Sequence, residues 1–290
     1  MENNKKIKIK LQGHEKFGLR EGWLTKGLIC VEQDSSVFQR KDAPDIFGIG
    51  NNMVKSLRYW MKAFGLTEEK IGKGAFLTPV GKIIYEKDLY FEDIFTIWLL
   101  HSNIVKNVDE ATSWHMLFNK CEIDELEKDQ IEMMLYREIS KYAMGITFSE
   151  KSVKNDLDVL LNMYSKYKGN VDPEDKSVSP LACLNLIKNV DGHYTKMHPD
   201  RRIISEWNIL YELAEILQEQ NSVSIENVVY GDNGLSKTYQ ITPIVANEFL
   251  DKIDTMGYIR VNRTAGLDVI YKKKDFTKEN IMKAYYTKVR

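Results

Sequence analysis

"NNMVKSLRYWMKAFGL", residues 51–66, is the clearest helix in the chain. At 100° per residue Met53, Leu57, Trp60 and Phe64 share one side, flanked by Val54 and Met61. Lys55, Arg58 and Lys62 line the opposite side, with Tyr59 beside them and partly exposed. Asn51 or Asn52 caps the start and Gly65 stops the helix. Working outward, "GWLTKGLICVEQ" (22–33) and "DAPDIFG" (42–48) read as two earlier helices, the second with Asp42 as cap and Pro44 in its first turn. "GIGNN" (48–52) is a tight connection. After the third helix, "KGAFLTPVGKIIYEKD" (73–88) reads as a strand-like element and a short helix beginning near Thr78-Pro79. Helix, helix, turn, helix and extended structure is the order of a winged helix-turn-helix.

The same order returns at the other end. "SEWNILYELAEILQEQ" (205–220) is strongly amphipathic and "SIENVVYG" (224–231) is short. "TPIVANEFLDKIDTMG" (242–257) starts with Thr242 as cap and Pro243 at its first position. "YIRVNRTAGLDVIYKK" (258–273) alternates around "AG" as a hairpin does. Residues 89–165 between the two ends read as helical throughout, and "KGNVDPEDKSVSP" (168–180) reads as a linker or exposed loop. The expected fold is therefore mainly α with small β wings: tandem winged helix-turn-helix domains (1–90 and 201–290) around a helical middle domain (91–200).

The two third helices differ in charge. Lys55, Arg58 and Lys62 form a cationic stripe that can meet phosphates or base edges, or else form a solvated face. On 242–257, Val245, Phe249, Ile253 and Met256 face the core, while Asn247, Glu248, Asp251 and Asp254 face outward. That helix repels a duplex, which leaves Arg260 and Arg263 on the wing, and Lys272 to Lys274 at its exit, to touch a DNA backbone. A protein partner is the favoured occupant of that face.

The 290 residues carry 41 Lys and Arg against 42 Asp and Glu, a net charge of −1 that argues mildly against nonspecific nucleic-acid coating. No apolar run reaches the roughly 18–20 residues of a membrane span, and the basic N-terminus lacks the apolar run of a secretory signal. Cys30, Cys121 and Cys183 are odd in number and far apart, which favours reduced thiols and a cytoplasmic address. There is no Walker-type loop, no serine nucleophile elbow and no paired cysteine spacing, so no cofactor or metal site is identified.

The one dense polar constellation is "GHEKFGLRE" (13–21). His14 beside Glu15 can serve acid–base chemistry, and Arg20 can hold a phosphate. Equally, Phe17, Leu19, Trp23 and Leu24 can pin the segment to the first helix as a structural clasp. Asp156 and His101 are lesser candidates, read as polar groups on helix faces.

"GHEKFGLREGWL", "NNMVKSLRYWMKAFGL", "LTPVGKIIY", "IWLLHSN", "SVKNDLDVLLNMY" and "SPLACLNLI" occur in an order that resembles bacterial domain-of-unknown-function family 4007 over roughly residues 13–187. That family accompanies DNA phosphorothioation (sulfur modification) and phage-defence systems. The resemblance implies a double-stranded DNA-handling protein that works beside sulfur-transfer and ATPase proteins, with members that nick DNA, using Mg²⁺ where they do. It marks Gly13, His14, Glu15, Phe17, Leu19 and Arg20 as signature positions, with Gly18 where the family often has proline. It identifies no nuclease centre and sets no oligomeric state. A non-catalytic adaptor or regulator, and a scaffold that binds only proteins, are the rival expectations.

Overall fold

The computed structural model describes residues 7–165, 178–264 and 266–288. Most of the expected linker at 168–180 lies outside the described residues. At the N-terminal end, α1 (Trp23–Gln33), α2 (Ala43–Phe47) and α3 (Asn51–Ala63) precede an antiparallel hairpin of β1 (Thr67–Lys70) and β2 (Gly74–Leu77). Leu57, Trp60 and Phe64 are fully buried, as the helical phase requires. Gly50, not an asparagine, occupies the cap position of α3, and no side chain caps it. Gly74 is needed where it stands: its φ is +98°, and an added Cβ would lie 2.1 Å from the Ser35 carbonyl oxygen. That carbonyl accepts the Ala75 N–H at 2.8 Å, so a single backbone bond ties the end of α1 to the hairpin. Thr78 caps α4 (Pro79–Lys87) by accepting from the Gly81 N–H.

The middle region departs from the all-helical expectation. After α5 (Ile94–Lys106) come α6 (Thr112–Lys120), β3 (Leu126–Glu127), α7 (Lys128–Ala143) and α8 (Glu150–Ser165). A hairpin of β4 (Ile187–Val190) and β5 (His193–Lys196) follows. These strands form a three-stranded antiparallel sheet in the order β3-β5-β4. The cause is legible locally. Asp191 and Gly192 both adopt positive φ, the two-residue turn that a hairpin prefers, between the paired Val190 and His193.

The C-terminal end runs α9 (Glu206–Ile216), β6 (Ser222–Ser224), α10 (Ile225–Tyr230), α11 (Leu235–Thr238) and α12 (Pro243–Thr255). The hairpin β7 (Ile259–Thr264) and β8 (Leu267–Lys272) and then α13 (Lys278–Lys288) complete it. Its sheet order is β6-β8-β7, the same pattern as in the middle: the short early strand pairs with the second strand of the hairpin. A helix, a short link, further helices and a hairpin thus recur three times, the link being a 3-10 turn after α1, β3 after α6 and β6 after α9, with the small α11 extra in the last unit.

The three units interlock. The last helix returns to the N-terminal half, where Tyr285 stacks on Phe95 with ring centroids 3.9 Å apart and Tyr286 bonds Thr96. On α5 the largely covered Lys106 reaches Glu212 and Glu215 of α9. His101 of α5 sits fully buried between Tyr164 Oη of α8 (2.8 Å) and the Thr238 carbonyl (2.7 Å). The carbonyl only accepts, so Nε2 carries the proton and Nδ1 accepts from the tyrosine. Burial drives its pKa down to about 3, so the ring is neutral at physiological pH.

Candidate nucleic-acid interface and the clasp behind it

His14 is fully buried. Its Nε2 lies 2.8 Å from Asp156 Oδ1, and its Nδ1 accepts the Lys16 N–H at 3.1 Å, so the donated proton sits on Nε2. Asp156, on α8, also accepts the Gln12 N–H at 2.8 Å and the Ser113 hydroxyl at 2.6 Å. The ring of His14 stacks on Trp60, 9° from parallel at 5.7 Å, and meets Trp114 edge-on. Phe17 offers its carbonyl to Ser56 and to the Trp60 indole N–H, both on α3. With the Lys10 N–H donated to Thr112 Oγ1 of α6 at 2.9 Å, the stretch around His14 is bonded to α3, α6 and α8 together. It is a three-way clasp.

Several site residues lie away from where the sequence put them. Glu15 is exposed, at a φ of +49°, and the carboxylate that orients His14 is Asp156. Both ring nitrogens of His14 are occupied inside the core, which leaves neither open to a substrate. Tyr59, expected beside the cations at the surface, is only 8% exposed. It packs against Trp60 and His14 and covers Gly13, where an added Cβ would lie 2.4 Å from its ring. The stripe from Lys55 turns toward the hairpin, so the 100° step to Tyr59 carries that ring under the N-terminal strap instead.

The cations of α3 do stand outward, and two of them carry carboxylates. Arg58 holds Glu69 of β1 through two bonds, 2.5 and 3.0 Å. The pairing lowers the pKa of Glu69. Lys62 lies 2.9 Å from Glu110, which Lys8 also meets. Exposed Lys55 reaches only the amide oxygen of Asn52 among the described residues. Arg58, Lys62 and Lys70 line one groove of about 360 Å³ between α3 and the hairpin, with Ile71 fully exposed at its tip.

On α12 the buried residues are Ala246, Phe249, Leu250 and Ile253, with Val245 and Met256 only partly buried against the core, so the inward face is turned by about half a residue step from the expected one. Arg263 is held at 2.6 Å by Asp251 and at 2.8 Å by Asn247. Glu248 pairs with Arg201, and Asp254 accepts the Val261 N–H at the foot of the hairpin. Arg260 is exposed with no ion pair among the described residues. Of the cations expected at this end, Arg263 is thus tied to α12 and Lys272 to Asp275, while Arg260 stands apart from both.

The family model for a protein of unknown function, DUF4007, matches residues 11–286. The chain belongs to the DUF4007 family. A crystal structure of magnesium ion-bound SspB shares the fold of this DUF4007 protein, with a TM-score of 0.85 and 22% identity over 97% of this chain and 89% of that one. A second SspB crystal structure gives 0.84 and 21% over the same shares. No curated protein matches the sequence.

Among the described residues of this DUF4007 chain, no group of three or more His, Cys, Asp and Glu side chains is placed to hold a metal ion. None of its described helices is long and apolar enough to cross a membrane. The thiol of Cys121 is buried and pushed up to about 12 by desolvation. Arg20 ends on neither His14 nor Glu15. Its guanidinium lies 5.6 Å from the Trp23 ring, at the rim of a cleft of about 500 Å³. Sequence reasoning missed Glu69, Glu110 and that cleft, and ranked Asp156 low. A signal for Asp156 was present: with Val153, Leu157 and Leu160 it falls on the apolar stripe of its helix, where a lone carboxylate needs a partner.

Proposed function

We propose that this protein docks double-stranded DNA for a bacterial phosphorothioation system, through α3 and the β1–β2 hairpin used as a winged helix. The outward stripe of Lys55, Arg58 and Lys62 beside that hairpin carries the proposal. Its groove is lined by cations of both elements, as a site that follows a phosphate backbone requires. Membership of the DUF4007 family and the SspB fold support the link to the system and its phage-defence role. The C-terminal unit, whose α12 presents Glu248 and Asp251, faces a sulfur-transfer or ATPase protein of the same system in the cytoplasm.

In this scheme the protein presents DNA and does not cut it. His14 acts by holding α3 on α8, and Arg260 and Arg263 are secondary contacts. Magnesium is bound in one SspB crystal, and because Mg²⁺ keeps most of its waters and needs only one or two carboxylates, the test includes it. The test is a duplex titration together with supercoiled plasmid incubated with Mg²⁺. Saturable, salt-sensitive binding without open-circle product is expected. Nicking lost in His14→Gln at unchanged folding would contradict the non-catalytic assignment, and absence of duplex affinity would contradict the docking itself.

A further inference from the structure

We infer that the cleft beside Arg20 takes a single unstacked nucleotide of a DNA strand, a step that rests on the docking role proposed above. The cleft lies between the start of α1, the 88–93 loop, α5 and the 178–183 segment, with Glu21 beside Arg20 also on its lining, and its volume of about 500 Å³ falls within the range of small-ligand sites. Its floor is apolar, with Leu24, Ile94 and Ile97. Three rim groups give it a chemical direction. Arg20 is stacked on Trp23 and makes no ion pair among the described residues. Tyr90 is 71% exposed, a large aromatic surface left in water at the mouth. The Glu92 carboxylate is also exposed and makes no ion pair among the described residues.

A nucleotide answers all three. A phosphate takes the guanidinium in a two-pronged contact, and the π-face of a base lies on Tyr90. The carboxylate accepts from an exocyclic amine, which cytosine, adenine and guanine carry and thymine lacks. A plain aliphatic anchor from a protein would fill the floor and leave Arg20 and Glu92 unused. The strap that ends at Arg20 begins under Tyr59 of α3, so the cleft is reached along the same segment that braces the docking helix.

The experiment measures affinity for a mixed-sequence single-stranded oligonucleotide and for a blunt duplex, with the full chain and with Tyr90→Ala, Arg20→Ala and Arg20→Lys. Tyr90 is largely exposed, so its removal leaves the core intact. Loss of one stacked base predicts single-strand affinity about tenfold lower in Tyr90→Ala and in Arg20→Ala. Duplex affinity should change less than threefold, and oligo-dT should be the weakest strand. Arg20→Lys should recover part of the loss. Single-strand affinity unchanged in both alanine variants, with duplex binding intact, overturns the cleft assignment alone. A full chain that binds neither nucleic acid overturns this inference together with the docking role. A cleft that instead binds an apolar peptide in competition with no oligonucleotide makes it a protein site and also overturns the inference.

Discussion

The two ends of the molecule are built on one plan with the charges exchanged. At the N-terminal end a cation on the third helix, Arg58, is tied to a carboxylate on the hairpin, Glu69. At the C-terminal end a carboxylate on the helix before the hairpin, Asp251 of α12, is tied to a cation on the hairpin, Arg263. Each pair is a strut that sets hairpin against helix, and a strut works with either polarity. What the strut leaves over differs: Lys55 and Lys62 on one helix, Glu248 on the other. Architecture is shared while surface charge differs, and the proposed reading assigns phosphate to one end and protein to the other.

The largest expected effect concerns how each end is joined to the middle. The N-terminal seam uses a buried His14–Asp156 pair, and removing one member strands the other in the core. His14→Ala or Asp156→Ala should therefore cost about 3–5 kcal/mol in a chemical melt, with α3 loosened first. A loss under about 1 kcal/mol would show that the clasp does not hold the helix.

The C-terminal seam should fail first in acid. His101 titrates near 6.5 when unfolded and at about 3 when folded, so between these values the unfolded chain binds the extra proton. Its stabilising effect is complete above pH 6.5 and declines as pH falls toward 3. The loss is about 2 kcal/mol between pH 6.5 and pH 5. His101→Gln should flatten that part of the stability profile, and an unchanged slope would remove His101 from the account.

The smallest effect separates the struts themselves. Both are partly exposed, so double-mutant cycles should give about 0.2–1 kcal/mol for Arg58 with Glu69 and for Asp251 with Arg263. Their consequences for DNA should diverge. Glu69→Ala removes an anion from the cationic groove and should tighten duplex binding a few-fold, whereas Asp251→Ala should leave it unchanged. Equal responses would erase the distinction between the ends.

Elements whose signal is local were legible in the sequence. The phase of α3 placed Trp60 in the core, Thr78-Pro79 and Thr242-Pro243 marked helix starts, and the hairpin after α12 followed from its alternation. The middle sheet was not read, although Asp191-Gly192 between Val190 and His193 carries a hairpin signature, because long helical patterns on its N-terminal side dominated. Site chemistry was least legible. Composition placed His14 beside Glu15, but a turn with positive φ at Gln12, Glu15 and Lys16 swings the ring inward to a carboxylate 142 residues away. The same holds for Lys62, whose counterion Glu110 comes from the loop before α6. Sequence neighbours seldom predict such partners, since folding sets them.

The salt dependence of duplex affinity tests the central claim most directly. Replacing Lys55, Arg58 and Lys62 together by alanine should reduce the slope of log K against log salt by about 2–3, near 0.9 for each lost phosphate contact. Replacing Arg260 and Arg263 should reduce it by less than about 1. An unchanged slope in the first variant, or a larger fall in the second, would contradict docking through the N-terminal end.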